Sequence, residues 1–160
     1  MNVMKLVKLL YLADRRALVL HGTPITYDAF VSMPHGPVVS GILNLINEEP
    51  DSDGPRYWHR HVSERQGYAV KLLADPGTPS LSPAEESILA EVYDAFGGMD
   101  RYALRDWCHE NLPEWQDPNG SSIPIRVRDI LVSEGYSEDE AHAVEVSVLH
   151  IAAAAAELGA

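Results

Sequence analysis

Residues 8–15 read Lys-Leu-Leu-Tyr-Leu-Ala-Asp-Arg and lie in a stretch whose apolar side chains recur every three or four residues. That spacing predicts an amphipathic helix over residues 2–20. Its apolar positions form a broad arc, which comprises Val3, Leu6, Val7, Leu10, Ala13, Ala17 and Leu18. A helix with so wide an apolar arc should lie at the centre of the core.

The face opposite this arc is mostly basic. Long cationic side chains usually remain solvated, so we expect this face to be open to a partner. This face carries Leu12 and four cations. The cations form a basic strip, which comprises Lys5, Lys8, Arg15 and Arg16.

Asp14 falls among the apolar positions of the same helix. Burying an unpaired charge is costly, so its carboxylate must be paired or hydrogen-bonded. We expect it to fasten the turn at residues 33–38, or to meet Arg101 or Arg105.

Two segments after this helix carry strong turn signals: Gly22-Thr23-Pro24-Ile25-Thr26 and Met33-Pro34-His35-Gly36-Pro37-Val38. Thr26 suits a helix N-cap and predicts a short helix to Ser32. Pro37 suits a first helical turn and predicts a helix that ends near residue 47. Gly36 permits positive φ and proline fixes its own φ, so a rigid corner should separate the two helices, with His35 placed to pack or stack.

The rest of the chain predicts a β-hairpin, with strands at residues 56–62 and 68–72, and further helices. Ser82-Pro83-Ala84-Glu85 is a capping box that should begin one of them. The predicted loops are residues 48–55 and 112–122, and the predicted helices are residues 83–96, 101–111, 123–133 and 138–158. The fold expected is mainly α, in the α+β class: a single compact helical domain, residues 1–160, of six to seven helices with one small antiparallel β-hairpin.

The composition limits the possible functions. Twelve Lys and Arg residues stand against 24 Asp and Glu residues, which gives a formal charge of −12 and favours basic partners over nucleic acid. Cys108 is the one cysteine, and no leader or membrane-length apolar run is evident, so we expect a cytoplasmic protein without membrane contact.

No residue pattern supports catalysis. The sequence lacks a G-x-S-x-G elbow, a phosphate-binding glycine loop and a C-x-x-C pair. His59 and His61, two apart in the predicted strand, would point to one side as zinc ligands can, but a third ligand is missing. We expect no enzymatic activity, no metal and no cofactor, with a His-based metal-dependent hydrolase as the weakest alternative.

Three segments together resemble the Panacea domain, also called SocA-like and phage-associated. They are the K-L-L-Y-x-A-D-R helix, the G-x-P-I-T turn at residues 22–26 and M-x-x-G-P-V at residues 33–38. Weaker matches extend the resemblance over nearly the whole chain: Leu81-Ser82 with Glu85, Val92-Tyr93, Trp107 with His109, and Pro113-Glu114-Trp115.

The resemblance implies a bacterial antitoxin of a type II toxin-antitoxin system. Such a protein would neutralise a cognate protein toxin encoded nearby, by direct binding or by delivering the toxin to the ClpXP protease as an adaptor. Direct binding is our expectation. The residues expected to contact the toxin are Lys8, Tyr11, Arg15, Arg16, Met33, His35 and Trp115. The residues expected to hold the fold together are Asp14, Gly22, Pro24, Pro34, Gly36, Pro37, Trp107 and His109.

Family members usually carry a further helix before the K-L-L-Y helix, whereas seven residues precede Lys8 here. An apolar strip on the first helix would then be exposed, which would invite a partner or a homodimer. Trp115, in a proline-bounded loop, is the tryptophan most expected to be exposed.

A DNA-binding regulator of its own operon is the main alternative. The contact residues would be Arg126 and Arg128, or Arg56, Arg60 and Arg65. The charge of −12 argues against it, because duplex binding depends on neutralising phosphates.

Overall fold

The computed structural model describes residues 1–47 and 56–157. These residues are mainly helical with a small antiparallel sheet, as predicted; the predicted loop at residues 48–55 lies outside them. In chain order the elements are α1 (Val3–His21), β1 (Phe30–Met33), β2 (Gly36–Val39), α2 (Ser40–Asn47), α3 (Arg56–His61), α4 (Pro83–Phe96), α5 (Arg101–Asn111), β3 (Ile123–Ile125), α6 (Val127–Ser133) and α7 (Glu138–Glu157).

Helix α1 is the centre of the fold and contacts α2, α4, α5, α6 and β2. It begins at Asn2, whose side chain accepts a hydrogen bond from the Lys5 backbone, and it ends at Gly22 in the left-handed conformation. Its buried residues are not confined to the predicted arc, because Lys8 and Leu12 on the opposite face are buried as well. Neighbours therefore enclose the helix on more sides than its periodicity indicated.

The sheet has the strand order β2-β1-β3 and is antiparallel throughout. Its hairpin pairs Phe30 with Val39 and Met33 with Gly36, so a two-residue turn joins β1 and β2. The helix predicted from Thr26 to Ser32 was wrong, and so was the helix start at Pro37. The Thr26 hydroxyl donates to Asp14 within a loop, and Val38 and Val39 are β-branched residues that suit a buried strand.

The hairpin predicted at residues 56–72 was wrong for most of its first strand, because Arg56–His61 forms α3; what remains of the pairing is an antiparallel bridge between Val62 and Leu72. Trp58 and Val62 are four residues apart, which satisfies helical spacing as well as strand alternation. The second half also pairs with the start of the chain: Val3 N donates to Tyr68 O at 2.8 Å, and Val70 N donates to Met1 O at 2.9 Å. This segment lies against the start of α1, and within α1 the one strongly exposed large apolar residue is Leu20, so the apolar strip expected to be exposed is largely covered.

The helices after residue 80 follow the prediction more closely. The capping box of Ser82 and Glu85 begins α4, and Asp100 caps α5. The helix predicted over residues 123–133 is shortened, because Ile123–Ile125 pairs with β1 as an edge strand before α6 begins. None of the described helices is both long enough and apolar enough to cross a membrane.

Candidate partner-binding cavity

The turn between β1 and β2 is held between α1 and α5. Gly36, at φ +100°, lies against Lys8 of α1 and His109 of α5. A Cβ atom at this position would stand 2.9 Å from Lys8 Nζ and 3.5 Å from His109 Nε2. Glycine is therefore required here both by the backbone conformation and by the close approach of two side chains.

Trp115 supports the same turn from the loop after α5. Its ring stacks on His109 with centroids 3.9 Å apart and planes inclined by 14°, and its Nε1 donates to the Met33 carbonyl at 3.0 Å. The adjoining backbone N–H of Gln116 donates to Ser32 Oγ at 3.2 Å. Trp115 is thus half-buried and fixes the hairpin, which corrects the expectation that it would be exposed.

Lys8 is the least expected residue of this region, because it is 0 % exposed instead of lying on an open basic strip. Its Nζ has no hydrogen-bond partner among the residues that the structure describes. The pKa of Lys8 is lowered to about 8, chiefly by burial; Cys108 opposes this shift and the nearby Arg105 adds to it. An ammonium held this way is costly to the fold.

A cavity of about 550 Å³ opens beside Lys8 and the hairpin turn. Its walls come from the start of α1, the turn, α2, the segment at residues 65–68 and the start of α5. Lys8, Arg65 and Arg101 line it, and none of its described lining residues is acidic. In a chain with a net charge of −12, this is a local concentration of positive charge.

Most of the residues that line this cavity lie within the range that a family model recognises. The model described as antitoxin SocA-like, Panacea domain, matches residues 6–116. The chain belongs to this antitoxin family. No curated protein and no solved structure matches it significantly. The matched residues of the Panacea domain include Lys8, the hairpin, both cavity arginines and Trp115.

A second set of Panacea residues forms an internal brace. Tyr11 is fully buried and donates from its hydroxyl to Glu114 Oε1 at 2.7 Å, and Arg15 Nε donates to the same oxygen at 2.8 Å. Arg15 also pairs with Glu134 at 2.7 Å. Burial raises the pKa of Tyr11, with further contributions from Glu114, and hydrogen bonds to Glu114 and Glu134 raise the pKa of Arg15 although burial opposes them.

This brace changes the expected roles of Tyr11 and Arg15. Tyr11 and Arg15 were expected to contact a partner, but their polar groups face the protein interior. Glu114 was missed as a key residue, although it stands between Pro113 and Trp115 in the segment that carried the resemblance. Arg16 remains half-exposed, 3.6 Å from Glu91 of α4, and does not line the cavity.

Asp14 is buried as predicted, but it fastens a different turn. Its Oδ1 accepts from the backbone N–H groups of Ile25 and Thr26, each at 2.8 Å, and Oδ2 accepts from the Thr26 hydroxyl. Burial raises the pKa of Asp14 to about 6, against these hydrogen bonds, which lower it. The prediction that Asp14 contacts residues 33–38, Arg101 or Arg105 was wrong. Asp14 instead holds the turn that contains Gly22 and the buried Pro24 against α1.

The geometry proposed for a zinc site is lost. His59 and His61 lie in α3, where residues two apart diverge, and not in a strand. Within residues 1–47 and 56–157, no group of three His, Cys, Asp or Glu side chains could hold a metal ion.

Proposed function

We propose that this protein neutralises a cognate protein toxin, encoded nearby, by binding it directly at the cavity beside Lys8. Membership of an antitoxin family makes a toxin the expected partner. The observation that carries the choice of surface is the cavity itself: most of its lining lies within the residues that the family model matches, and it is basic in an acidic protein.

The rim of the cavity has the composition of a protein interface. Pro34 and His35 of the hairpin turn are exposed, as are Tyr68, at 69 %, and Tyr102, at 49 %. Aromatic and arginine side chains are enriched in protein–protein interfaces, where they often contribute most of the binding energy. Met33 and His35 therefore remain proposed contacts, while Trp115, Tyr11 and Arg15 act by holding the surface in shape.

Co-expression tests this function. The reading frames beside this gene would be expressed singly to find one that arrests growth, and this protein would then be co-expressed with it in cells with and without ClpX. We expect rescue in both strains, because direct binding needs no protease. Rescue only in the strain with ClpX would favour the adaptor role, and no rescue of any neighbouring toxin would contradict the proposal.

The DNA-binding alternative gains no support from Arg126 and Arg128, the first of its two proposed sets of contact residues. Arg126 pairs with Asp129 at 2.8 Å, and Arg128 pairs with Glu145 at 3.0 Å, so neither guanidinium is free of a nearby carboxylate. A gel shift with the upstream region at low salt would test it directly.

A further inference from the structure

We propose that the Lys8 ammonium binds the carboxylate of an acidic side chain that the toxin inserts into the cavity. The inference rests on the proposed function and adds the chemistry of the contact. It predicts that the toxin presents one essential Asp or Glu at the centre of the interface, although long-range charge attraction to this acidic antitoxin calls for a basic surface on the toxin.

The first support is the state of Lys8. An ammonium has three donors and no acceptor, and in a folded protein such a group is normally paired. Here Nζ is buried and has no partner among the described residues, and it lies beside Gly36 in the wall of the cavity. A carboxylate from outside would supply a charge-assisted hydrogen bond and remove the cost of the unpaired charge.

The second support is the space around Nζ. The Cβ atom that Gly36 lacks would stand 2.9 Å from Nζ, so a side chain at this position would crowd the ammonium, and glycine leaves this side of Nζ without a side-chain cover. The described lining of the cavity offers no carboxylate that could occupy that space. His109 Nε2, which would stand 3.5 Å from the same Cβ atom, has no hydrogen-bond partner among the described residues either, so it does not satisfy Lys8.

The third support is the size and charge of the opening. The cavity volume of about 550 Å³ is larger than a single carboxylate group needs. Apolar groups of the toxin next to the inserted side chain could pack against Val3, Val7 and Leu43. Arg65 and Arg101 extend the positive charge along its walls. A basic recess in an acidic surface would fix the register of a partner that long-range charge has attracted.

The test measures the affinity of the purified toxin for wild-type protein, for Lys8→Met and for Lys71→Met. Lys71 is an exposed lysine outside the cavity and serves as the matched control. We expect Lys8→Met to weaken binding by at least about 30-fold, since one partner of a buried charged contact is removed. Lys71→Met should stay within about 3-fold of wild type, since a solvent-exposed charge away from the contact contributes little.

Substitutions in the toxin identify the partner group. Each surface Asp and Glu of the toxin would be changed to its amide, and one of these changes should weaken binding to wild type about as much as Lys8→Met does. The same change should have little effect on Lys8→Met, because the two residues form one contact. Equal affinity of Lys8→Met and wild type, or no acidic residue coupled to Lys8, would overturn the inference.

Three controls separate the possible failures. If wild type does not bind the toxin, the proposed function fails; if wild type and Lys8→Met bind it equally well, only this inference fails. Folding of Lys8→Met is checked by its thermal transition, which should not fall below that of wild type.

Lys8 ammonium NMR signals that respond to millimolar sodium acetate without any change in toxin affinity would assign the site to a small molecule. A response of those signals to amide substitutions in the acidic segment at residues 48–53, without toxin, would assign the carboxylate to the chain itself. Either result would overturn the inference.

Discussion

The Arg15 guanidinium donates from Nε to Glu114 Oε1 at 2.8 Å, which joins the central helix to the loop after α5. Tyr11 donates to the same oxygen at 2.7 Å, from one turn earlier on α1. Because Trp115 follows Glu114 and supports the hairpin turn, this brace positions the cavity wall without forming part of the cavity. Two kinds of residue thus share one signature segment: Tyr11 and Arg15 hold the fold, and Lys8 faces the cavity.

Replacement of Glu114 by Ala should strongly destabilise the protein. The change leaves the Tyr11 hydroxyl and part of the Arg15 guanidinium without their acceptor, which costs about 3–5 kcal/mol when a buried pair loses one member. Urea denaturation followed by circular dichroism would measure the loss. The control is Glu110→Ala, at an exposed position of α5, which should change stability by less than about 0.5 kcal/mol. Similar values for the two variants would show that the brace contributes little.

Asp14→Asn should reveal the raised pKa of Asp14. The folded pKa is about 6 against an ordinary value of 3.8, so the folded state holds the extra proton between these two values. Wild type should therefore lose stability relative to Asp14→Asn as the pH rises from 4 to 6, by up to roughly 3 kcal/mol. Unfolding free energies of both proteins across this range would measure the difference. A gain of wild type over the variant with rising pH would contradict the prediction.

Lys8→Met should stabilise the free protein at neutral pH. The folded pKa of about 8 lies below the ordinary 10.5, so protonated Lys8 costs the folded state up to roughly 3 kcal/mol below pH 8. That cost is relieved as the pH rises from 8 to 10.5, and the advantage of the variant should shrink over the same range. Chemical denaturation at several pH values would measure it. A variant less stable than wild type at pH 7 would show that Lys8 stabilises the fold.

Toxin affinity should fall as the pH rises above about 8. The free protein then loses the Lys8 proton that a bound carboxylate requires, and each further pH unit costs up to about tenfold in affinity. Of the other groups facing Lys8, Arg105 lowers the pKa of Lys8, burial raises the pKa of Cys108 to about 11, and burial and Lys8 lower the pKa of His109. Calorimetric titration from pH 6.5 to 9.5 would measure the profile. Lys8→Met should lack the decline, and an equal decline in both proteins would assign it elsewhere.

The sequence predicted the elements whose signals are local. Periodicity identified α1, and the side-chain caps at Ser82 and Asp100 located α4 and α5. The hairpin at residues 30–39 was missed because four-residue strands show little alternation and because Pro37 imitates a helix start. The third strand of the sheet, at residues 123–125, lies far from this hairpin in sequence, so no local pattern could indicate the pairing.

The candidate site was predicted only in part. The residues that line the cavity and were expected to bind a partner are Lys8, Met33 and His35. Helical periodicity placed Lys8 on a polar face, and only the contact of α1 with the hairpin turn and α5 shows that this face is covered. The same contact explains why Trp115 is half-buried. Glu114 carried no signal of burial, because an acidic residue in a proline-bounded loop usually remains solvated.

The most direct test of direct toxin neutralisation is a titration of purified toxin with purified antitoxin, with no protease present, that records both heat of binding and toxin activity. We predict saturable binding and complete loss of toxin activity near equimolar antitoxin. Absence of binding, with the toxin fully active in the mixture while co-expression still rescues cells, would contradict the account.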